Sequence, residues 1–225
     1  IFEAKIEVLA VQGPKSFKLM EKVFGNEINN LKFFRFDFFE FNKIKYLISK
    51  SGYSKQGGFE IHIENSKEGL KLYDYFFEIG NEFNLKPGAP NLIERIEGGL
   101  LSYGNDIDIG DNPYECGFDK YVHLESDIVF LGKENLKKIK KEGIKKKLMG
   151  VKIEGTSINV THGIPILDSD NNEIGELRSA AFSPKFKKIV GIAMIKKDYC
   201  KFGEKFRIKL NENFVAGEVC NLPIL

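Results

Sequence analysis

The stretch Ser51-Gly-Tyr-Ser-Lys-Gln-Gly-Gly-Phe-Glu-Ile-His-Ile63 joins a glycine-rich half to a half that alternates apolar and polar residues. The glycines permit backbone angles that other residues avoid. The alternation over 59–63 is the period of a half-buried strand, so its apolar side chains share one face while Glu60 and His62 share the other. The sequence therefore predicts a turn that leads into a strand with a carboxylate near its start.

Glu60 is a candidate for ligand recognition. A carboxylate fixed beside bare backbone suits a planar group with paired N–H donors, because two parallel charge-assisted hydrogen bonds can form. The alternative is a plain hairpin whose glutamate is solvated. The residues alone leave both interpretations open.

Composition limits the classes of function. The chain has 225 residues, of which 42% are hydrophobic, enough for the core of one large domain or two smaller ones. A net charge of +2 is too small to indicate nucleic acid or a membrane surface, and no apolar run reaches the ~18 residues of a membrane span. The cysteines Cys116, Cys200 and Cys220 are widely spaced, which is typical of reduced cytosolic thiols. We therefore expect a cytoplasmic protein. The histidines are too scattered for a metal site, so we expect no metal.

The first part of the chain predicts a ferredoxin-like α+β domain. A strand over Lys5–Gln12 is followed by a helix, by strands that include Phe33–Phe41, and by a helix that Ser66 would cap and that runs to about Phe83. Since the chain opens at Ile1 without methionine and a core strand follows almost at once, we expect an N-terminally truncated chain.

The second part changes its pattern. A helix is predicted over Asn91–Leu101, and the lysine-dense run Lys133–Lys147 predicts a solvated helix that links two domains. No aromatic residue interleaves these lysines, as a stacking surface for nucleic acid would require. From Leu148 onward, short strands and turns predict a small β-barrel or sandwich. We therefore expect domains over 1–146 and 147–225.

Residues 52–60, Gly-Tyr-Ser-Lys-Gln-Gly-Gly-Phe-Glu, resemble the Gly-Tyr-Thr-Gly-Glu-Asp-Gly-Phe-Glu signature of the aminomethyltransferase (glycine-cleavage T-protein) family. The Ser-Lys-Gln-Gly variant is more similar to the dimethylsulfoniopropionate demethylase branch. Further family-like runs span nearly the whole chain: Leu9-Ala-Val-Gln-Gly-Pro-Lys15, Arg95-Ile-Glu-Gly-Gly99, Leu101-Ser-Tyr-Gly104, Asn112-Pro-Tyr-Glu-Cys-Gly117, Phe130-Leu-Gly-Lys133 and Phe182-Ser-Pro184.

This resemblance implies a folate-binding α+β domain followed by a C-terminal β-barrel, with tetrahydrofolate as cofactor. It implies that Glu60 holds the pterin ring and that Arg95, Tyr53, His62 and Lys196 contact folate. The alternatives are an ion pair of Arg95 with a neighbouring acid, a core position for Tyr53 and simple exposure of His62. The competing acids are Glu94, Glu97 and Asp108.

No catalytic residue is assigned from the sequence. The family's acidic residue near the reacting N5 atom belongs to an N-terminal part that has no counterpart in this sequence, so its position here is unknown. The signature of the related folate-dependent iron–sulfur repair proteins is absent, which disfavours that branch.

The resemblance implies transfer of a methyl group from dimethylsulfoniopropionate to N5 of tetrahydrofolate, giving 3-methylthiopropionate and 5-methyltetrahydrofolate. The alternatives are aminomethyl transfer in glycine cleavage and folate binding without catalysis. The expected partners are folate and a small-molecule methyl donor, with neither nucleic acid nor membrane. The oligomeric state is left open, a homodimer included.

Overall fold

The computed structural model describes residues 3–210 and 213–224, and the chain divides into two compact units, Ile1–Asn91 and Leu92–Leu225. The second unit includes the helix that begins at Leu92, because this helix packs on strands of the C-terminal barrel. The sequence places the boundary between the two predicted domains at 146/147, and that boundary stays a prediction.

The first unit is a four-stranded antiparallel sheet with two helices. The sheet order is β1-β4-β3-β2, so the last three strands form a meander and β1 pairs with β4 at the edge. In chain order the elements are β1 (Glu7–Gln12), α1 (Ser16–Phe24), a short 3-10 helix (Asn26–Asn30), β2 (Phe36–Phe41), β3 (Ile44–Ser49), β4 (Gly58–Ile63), α2 (Ser66–Gly80) and a 3-10 turn (Asn81–Phe83).

One face of this sheet is buried against both helices. Phe59 and Ile61 of β4 are fully buried, and they share a core with Leu19 of α1 and Leu72 of α2. The burial of every second residue confirms the predicted alternation of β4. Helix α2 is capped by Asn65 and not by Ser66 as predicted, because the Asn65 side chain accepts a hydrogen bond from the backbone N–H of Lys67 at 3.0 Å.

The opposite face of the sheet carries polar and aromatic side chains. Residues paired directly across antiparallel strands point to the same face. Ser49 pairs with both Phe36 and Glu60, and the next outward-facing row continues through Phe38 and His62. Phe36 and Phe38 are 62% and 59% exposed. We call this surface the open face.

The second unit contains a closed six-stranded barrel with the strand order β10-β5-β8-β7-β6-β9. This confirms the prediction of an α+β unit followed by a small C-terminal barrel. Its elements are α3 (Leu92–Glu97), a 3-10 turn (Asp119–Tyr121), α4 (Lys133–Glu142), β5 (Lys146–Ile153), β6 (Ile164–Leu167), β7 (Glu173–Ser183), β8 (Lys188–Lys196), a 3-10 turn (Lys197–Tyr199), β9 (Lys205–Leu210) and β10 (Asn213–Cys220).

Glycines end both helices of this unit earlier than predicted. Helix α3 stops at Glu97 because Gly99 adopts φ +63°, which lets the N–H of Leu100 close the helix on the Arg95 carbonyl at 2.8 Å. Helix α4 stops at Glu142, before Gly143 with φ +81°. The last lysines of the predicted linker helix therefore belong to strand β5.

A buried carboxylate ties the segment before α4 to the barrel. Asp111 has a side chain only 1% exposed, and it accepts hydrogen bonds from Arg178 of β7 and from Lys146 Nζ of β5, the latter at 2.6 Å. Burial alone would raise the pKa of Asp111. The hydrogen bonds from Arg178 and Lys146 outweigh burial and lower this pKa to about 2.

We expect the Asp111 network to make stability depend on pH. Because the folded-state pKa of about 2 lies below the ordinary 3.8, the network stabilises the fold fully above pH ~4 and loses this contribution as the pH falls toward 2. The contribution is on the order of 2 kcal/mol. Urea unfolding of the wild type and Asp111→Asn should show a large difference at pH 7 that shrinks below pH 4. A difference that stays constant down to pH 2 would contradict the assignment, and exposed Asp198→Asn is the matched control.

Gly58 should not tolerate a side chain. It has φ +147°, and a Cβ atom would lie 2.3 Å from the carbonyl oxygen of Val11 in the neighbouring strand. We expect Gly58→Ala to lower the free energy of unfolding by about 1–3 kcal/mol. Gly88→Ala, at a site with nothing within 4 Å, should change it by less than about 0.5 kcal/mol. Equal effects of the two substitutions in urea unfolding would show that the close approach at Gly58 does not matter.

Candidate functional site

The candidate site lies on the open face, where β4 begins. Glu60 is half-buried, and its Oε2 accepts a hydrogen bond from the Ser51 hydroxyl. Ser51 Oγ lies 2.8 Å from Ser49 Oγ, which lies 3.4 Å from His62 Nε2. We call these side chains the polar row. The strand places Glu60 and His62 on one face, and the serines connect them.

The polar row is suited to bind a group with N–H donors. A carboxylate has about four lone-pair positions, so the bond from Ser51 leaves acceptor capacity on the Glu60 side chain. The neighbouring strand β1 adds apolar surface, with Ala10 paired to Glu60 and Val8 paired to His62. The open face therefore offers a flat ring a carboxylate acceptor for its polar edge and an apolar surface for its plane.

A tight loop leads into this site. Lys55, Gly57 and Gly58 all have positive φ angles, which only the two glycines adopt without strain. Gln12, at the end of β1, reaches across to this loop: its Nε2 donates to the carbonyls of Ser51 and Phe59 at 3.0 and 3.1 Å. The sequence prediction assigned no role to Gln12 or Ser51. The signal that could have found Gln12 is its place in the family-like run over 9–15.

The predicted site residues divide between the two units. Tyr53, Glu60 and His62 lie in the first unit, with Tyr53 half-buried in the glycine-rich loop (residues 51–58). Arg95 and Lys196 lie in the second unit. The structure thus brings together Glu60 and His62 within the polar row.

Arg95 is buried in an ion pair with a different partner from those predicted. Its Nη1 donates to Asp106 Oδ2 at 2.7 Å and its Nη2 donates to Ser179 Oγ at 2.8 Å. The expected acids Glu94, Glu97 and Asp108 are therefore replaced by Asp106. Asp106 also accepts from the backbone N–H of Ser102 at 2.7 Å, so this pair closes the turn after α3.

Lys196 is exposed at the end of β8, and its Nζ donates to the Glu173 carbonyl at 2.5 Å. The contacts of Arg95 and Lys196 are thus structural ones within their own unit. Their assignment to folate stays a prediction.

Two cysteines are held as thiols. Burial and the nearby Asp111 carboxylate raise the pKa of Cys116 to about 11, and burial raises the pKa of Cys220 to about 11. Neither is a thiolate near neutral pH, so neither has the reactive form of a nucleophile.

The described residues, 3–210 and 213–224, provide neither a cluster of metal ligands nor a membrane-spanning helix. They hold no group of three or more His, Cys, Asp or Glu side chains that could bind a metal ion. No helix formed by them has the length and apolar character needed to cross a membrane.

Two family models match the chain. The GCVT N-terminal domain matches residues 2–126, and the glycine cleavage T-protein C-terminal barrel domain matches residues 146–225. Among solved structures, the glycine cleavage system aminomethyltransferase T from Bartonella henselae is similar, with a TM-score of 0.85 and 24% sequence identity over 98% of this chain and 60% of that chain. This likeness supports the fold.

Curated relatives show the same family. The dimethylsulfoniopropionate demethylase DmdA of Ruegeria pomeroyi is 38% identical over 88% of this chain and 54% of its own length. The aminomethyltransferase of Thermoanaerobacter pseudethanolicus is 36% identical over 91% of this chain and 55% of its own length. The chain thus spans little more than half the length of these relatives. It belongs to the glycine-cleavage T-protein (aminomethyltransferase) family, whose members are tetrahydrofolate-dependent methyl- or aminomethyltransferases.

Proposed function

We propose that the intact protein demethylates dimethylsulfoniopropionate to 3-methylthiopropionate and forms 5-methyltetrahydrofolate. The observation that carries the folate-binding part of this proposal is the Glu60 carboxylate, held by the Ser51 hydroxyl on a sheet face that is otherwise open and partly apolar. Such a face fits a pterin ring, because the ring is flat and its edge carries paired N–H donors.

Glu60 is the proposed anchor of the pterin, and Tyr53 and His62 are its proposed neighbours. Tetrahydrofolate, when bound, supplies the N5 nitrogen that accepts the one-carbon group. Glu60 acts as an orienting acceptor and not as a proton shuttle. The thioether leaves as a neutral group that takes up no proton, and the proton that N5 loses on methylation is released to solvent. Arg95 and Lys196 remain proposed folate contacts on the family resemblance alone.

In this mechanism the main contribution of the protein is to position the reacting groups. A displacement at a sulfonium carbon requires the acceptor, the methyl carbon and the sulfur in line, with water kept away. Correct placement of this kind can supply on the order of 7–11 kcal/mol of the barrier. The anchored carboxylate contributes by fixing the ring edge relative to the sheet.

Aromatic rings on the open face are proposed to receive the sulfonium. The predicted aromatic strand divides in two: Phe39 and Phe41 pack against the core, whereas Phe36 and Phe38 are more than half exposed. Phe36 lies two strands from Glu60, a separation of about 10 Å at the usual strand spacing. A cation over such rings is stabilised by roughly 0.5–2 kcal/mol.

Two features favour the sulfonium as donor. The Ser-Lys-Gln-Gly sequence of the glycine-rich loop departs from Gly-Glu-Asp of the glycine-cleavage enzymes, and the similarity to a dimethylsulfoniopropionate demethylase is substantial. Aminomethyl transfer in glycine cleavage is the second candidate, because several similar relatives carry the name aminomethyltransferase. Formation of methylenetetrahydrofolate with an aminomethyl-lipoyl carrier, without turnover of the sulfonium, would decide for the second candidate.

Glu60→Gln should weaken the binding of tetrahydrofolate while it preserves the size of the side chain. Loss of a charged acceptor opposite paired donors typically removes ~1.5–3 kcal/mol, which corresponds to about a 10- to 150-fold increase in Kd. Isothermal titration of the chain with tetrahydrofolate measures this. Glu64→Gln, at an exposed position just past β4, is the matched control and should bind like the wild type. Unchanged affinity in Glu60→Gln would remove Glu60 as the anchor.

The double variant Phe36→Leu, Phe38→Leu should bind the sulfonium more weakly. Loss of cation–π contacts of 0.5–2 kcal/mol corresponds to roughly a 2- to 30-fold increase in Kd for dimethylsulfoniopropionate. Binding of the neutral thioether 3-methylthiopropionate should change little, and exposed Phe202→Leu in the other unit is the control. If both ligands lose affinity equally, the rings do not recognise the cation.

A further inference from the structure

We infer that Gln12 is a positioning residue of the candidate folate site. Its side-chain amide fixes the glycine-rich loop (residues 51–58), and through the loop it fixes the Ser51 hydroxyl that holds Glu60. This inference rests on the proposed function, because the site that Gln12 would order is the proposed pterin anchor.

The Gln12 amide makes three hydrogen bonds, two to the loop and one to the residue that follows it. Its Nε2 donates to the carbonyl of Ser51, at the start of the loop, and to the carbonyl of Phe59, just after its end. Its Oε1 accepts from the Ser54 hydroxyl at 2.7 Å. The bonds span 39 to 47 residues of sequence, so they fix the loop to the edge strand β1.

The glycines of the loop leave room for this amide. A Cβ atom at Gly52 would lie 2.0–2.3 Å from the Gln12 amide atoms, and a Cβ atom at Gly58 would lie 2.8 Å from Nε2. The backbone N–H of Gly13 also donates to the Gly57 carbonyl at 2.9 Å. The glycine pattern of the loop is therefore explained by the close approach of Gln12 as well as by the positive φ angles.

The link to the ligand anchor runs through Ser51. Gln12 holds the Ser51 carbonyl, and this fixes the backbone from which the Ser51 hydroxyl reaches Glu60. The Phe59 carbonyl, held by the same nitrogen, belongs to the peptide unit that leads into Glu60. With both ends fixed, the carboxylate is ordered before ligand arrives, and preorganised groups lose less conformational freedom on binding.

Glutamine is the side chain that this arrangement requires. Its amide offers two N–H donors for the two carbonyls and an oxygen for the Ser54 hydroxyl. Glutamate has the same shape and keeps the acceptor, but it would place an oxygen against both carbonyls. Gln12→Glu is therefore a test that removes the donors and, at neutral pH, adds a negative charge, while the volume of the side chain stays nearly unchanged.

We expect Gln12→Glu to increase the Kd for tetrahydrofolate about 10- to 100-fold in isothermal titration of the full chain at pH 8. The increase relative to the wild type should shrink at pH 5, because an acid placed against two carbonyls favours its protonated form, which regains one donor. The neighbouring charged and titratable groups, Glu60 and His62, and the ligand itself are common to both proteins, so the ratio of the two Kd values is compared at each pH.

A second variant separates positioning from stability. Ile28→Val removes one methylene from a fully buried side chain in the same unit and should be destabilised without loss of folate affinity. Hydrogen exchange of the amides over 51–60 should be at least tenfold faster in Gln12→Glu and unchanged in Ile28→Val.

Each contrary outcome has a distinct meaning. If the wild type binds and Gln12→Glu binds equally well at pH 8, the inference about Gln12 fails while the proposed function stands. If Ile28→Val loses the same affinity, the effect is one of stability and the inference also fails. If neither the wild type nor Glu60→Gln binds tetrahydrofolate, the proposed function fails, and the inference about Gln12 fails with it.

Discussion

Ser51 donates a hydrogen bond to the Glu60 carboxylate, and the candidate site depends on this contact. The contact requires that a loop with several positive φ angles ends beside a strand in exact register with its neighbours. Gln12 meets that requirement from the adjacent strand, since its amide binds the carbonyls on both sides of the loop. The glycines let the loop adopt its unusual backbone angles, and the hydrogen bonds of Gln12 then hold the loop so that the Glu60 carboxylate has one position. The proposed chemistry follows from this fixed position and not from an unusual side chain.

The first unit uses the two faces of its sheet differently. The inward face carries Phe59 and Ile61 and is closed by both helices, which fixes the strands. The open face carries the polar row and the exposed rings of Phe36 and Phe38. Because side chains alternate between faces, core packing on one side sets the register of the recognition groups on the other. The site therefore draws its precision from the hydrophobic core beneath it.

Periodicity predicted most of the fold, because it reports burial directly. The sequence predicted three features of the fold: the alternation of β4, the two helices of the first unit and the change to short barrel strands. The family-like motifs predicted the folate-binding function. Helix ends were less predictable: Gly99 and Gly143 stop α3 and α4 early. The acids named as alternative partners of Arg95 were wrong, because Asp106 reaches it only through the turn that follows α3. The role of Gln12 was missed because its partners lie some 40 residues away along the chain.

The central claim is that the Glu60 carboxylate pairs with the N–H donors on the pterin edge. The most direct measurement is a double cycle that combines Glu60→Gln with a tetrahydrofolate analogue lacking the 2-amino group, with all four affinities taken by isothermal titration. If the carboxylate binds that group, the analogue should bind wild type and variant nearly equally, and the coupling energy should be about 1.5–3 kcal/mol. Additive effects, with a coupling energy near zero, would contradict the account and place the pterin edge elsewhere.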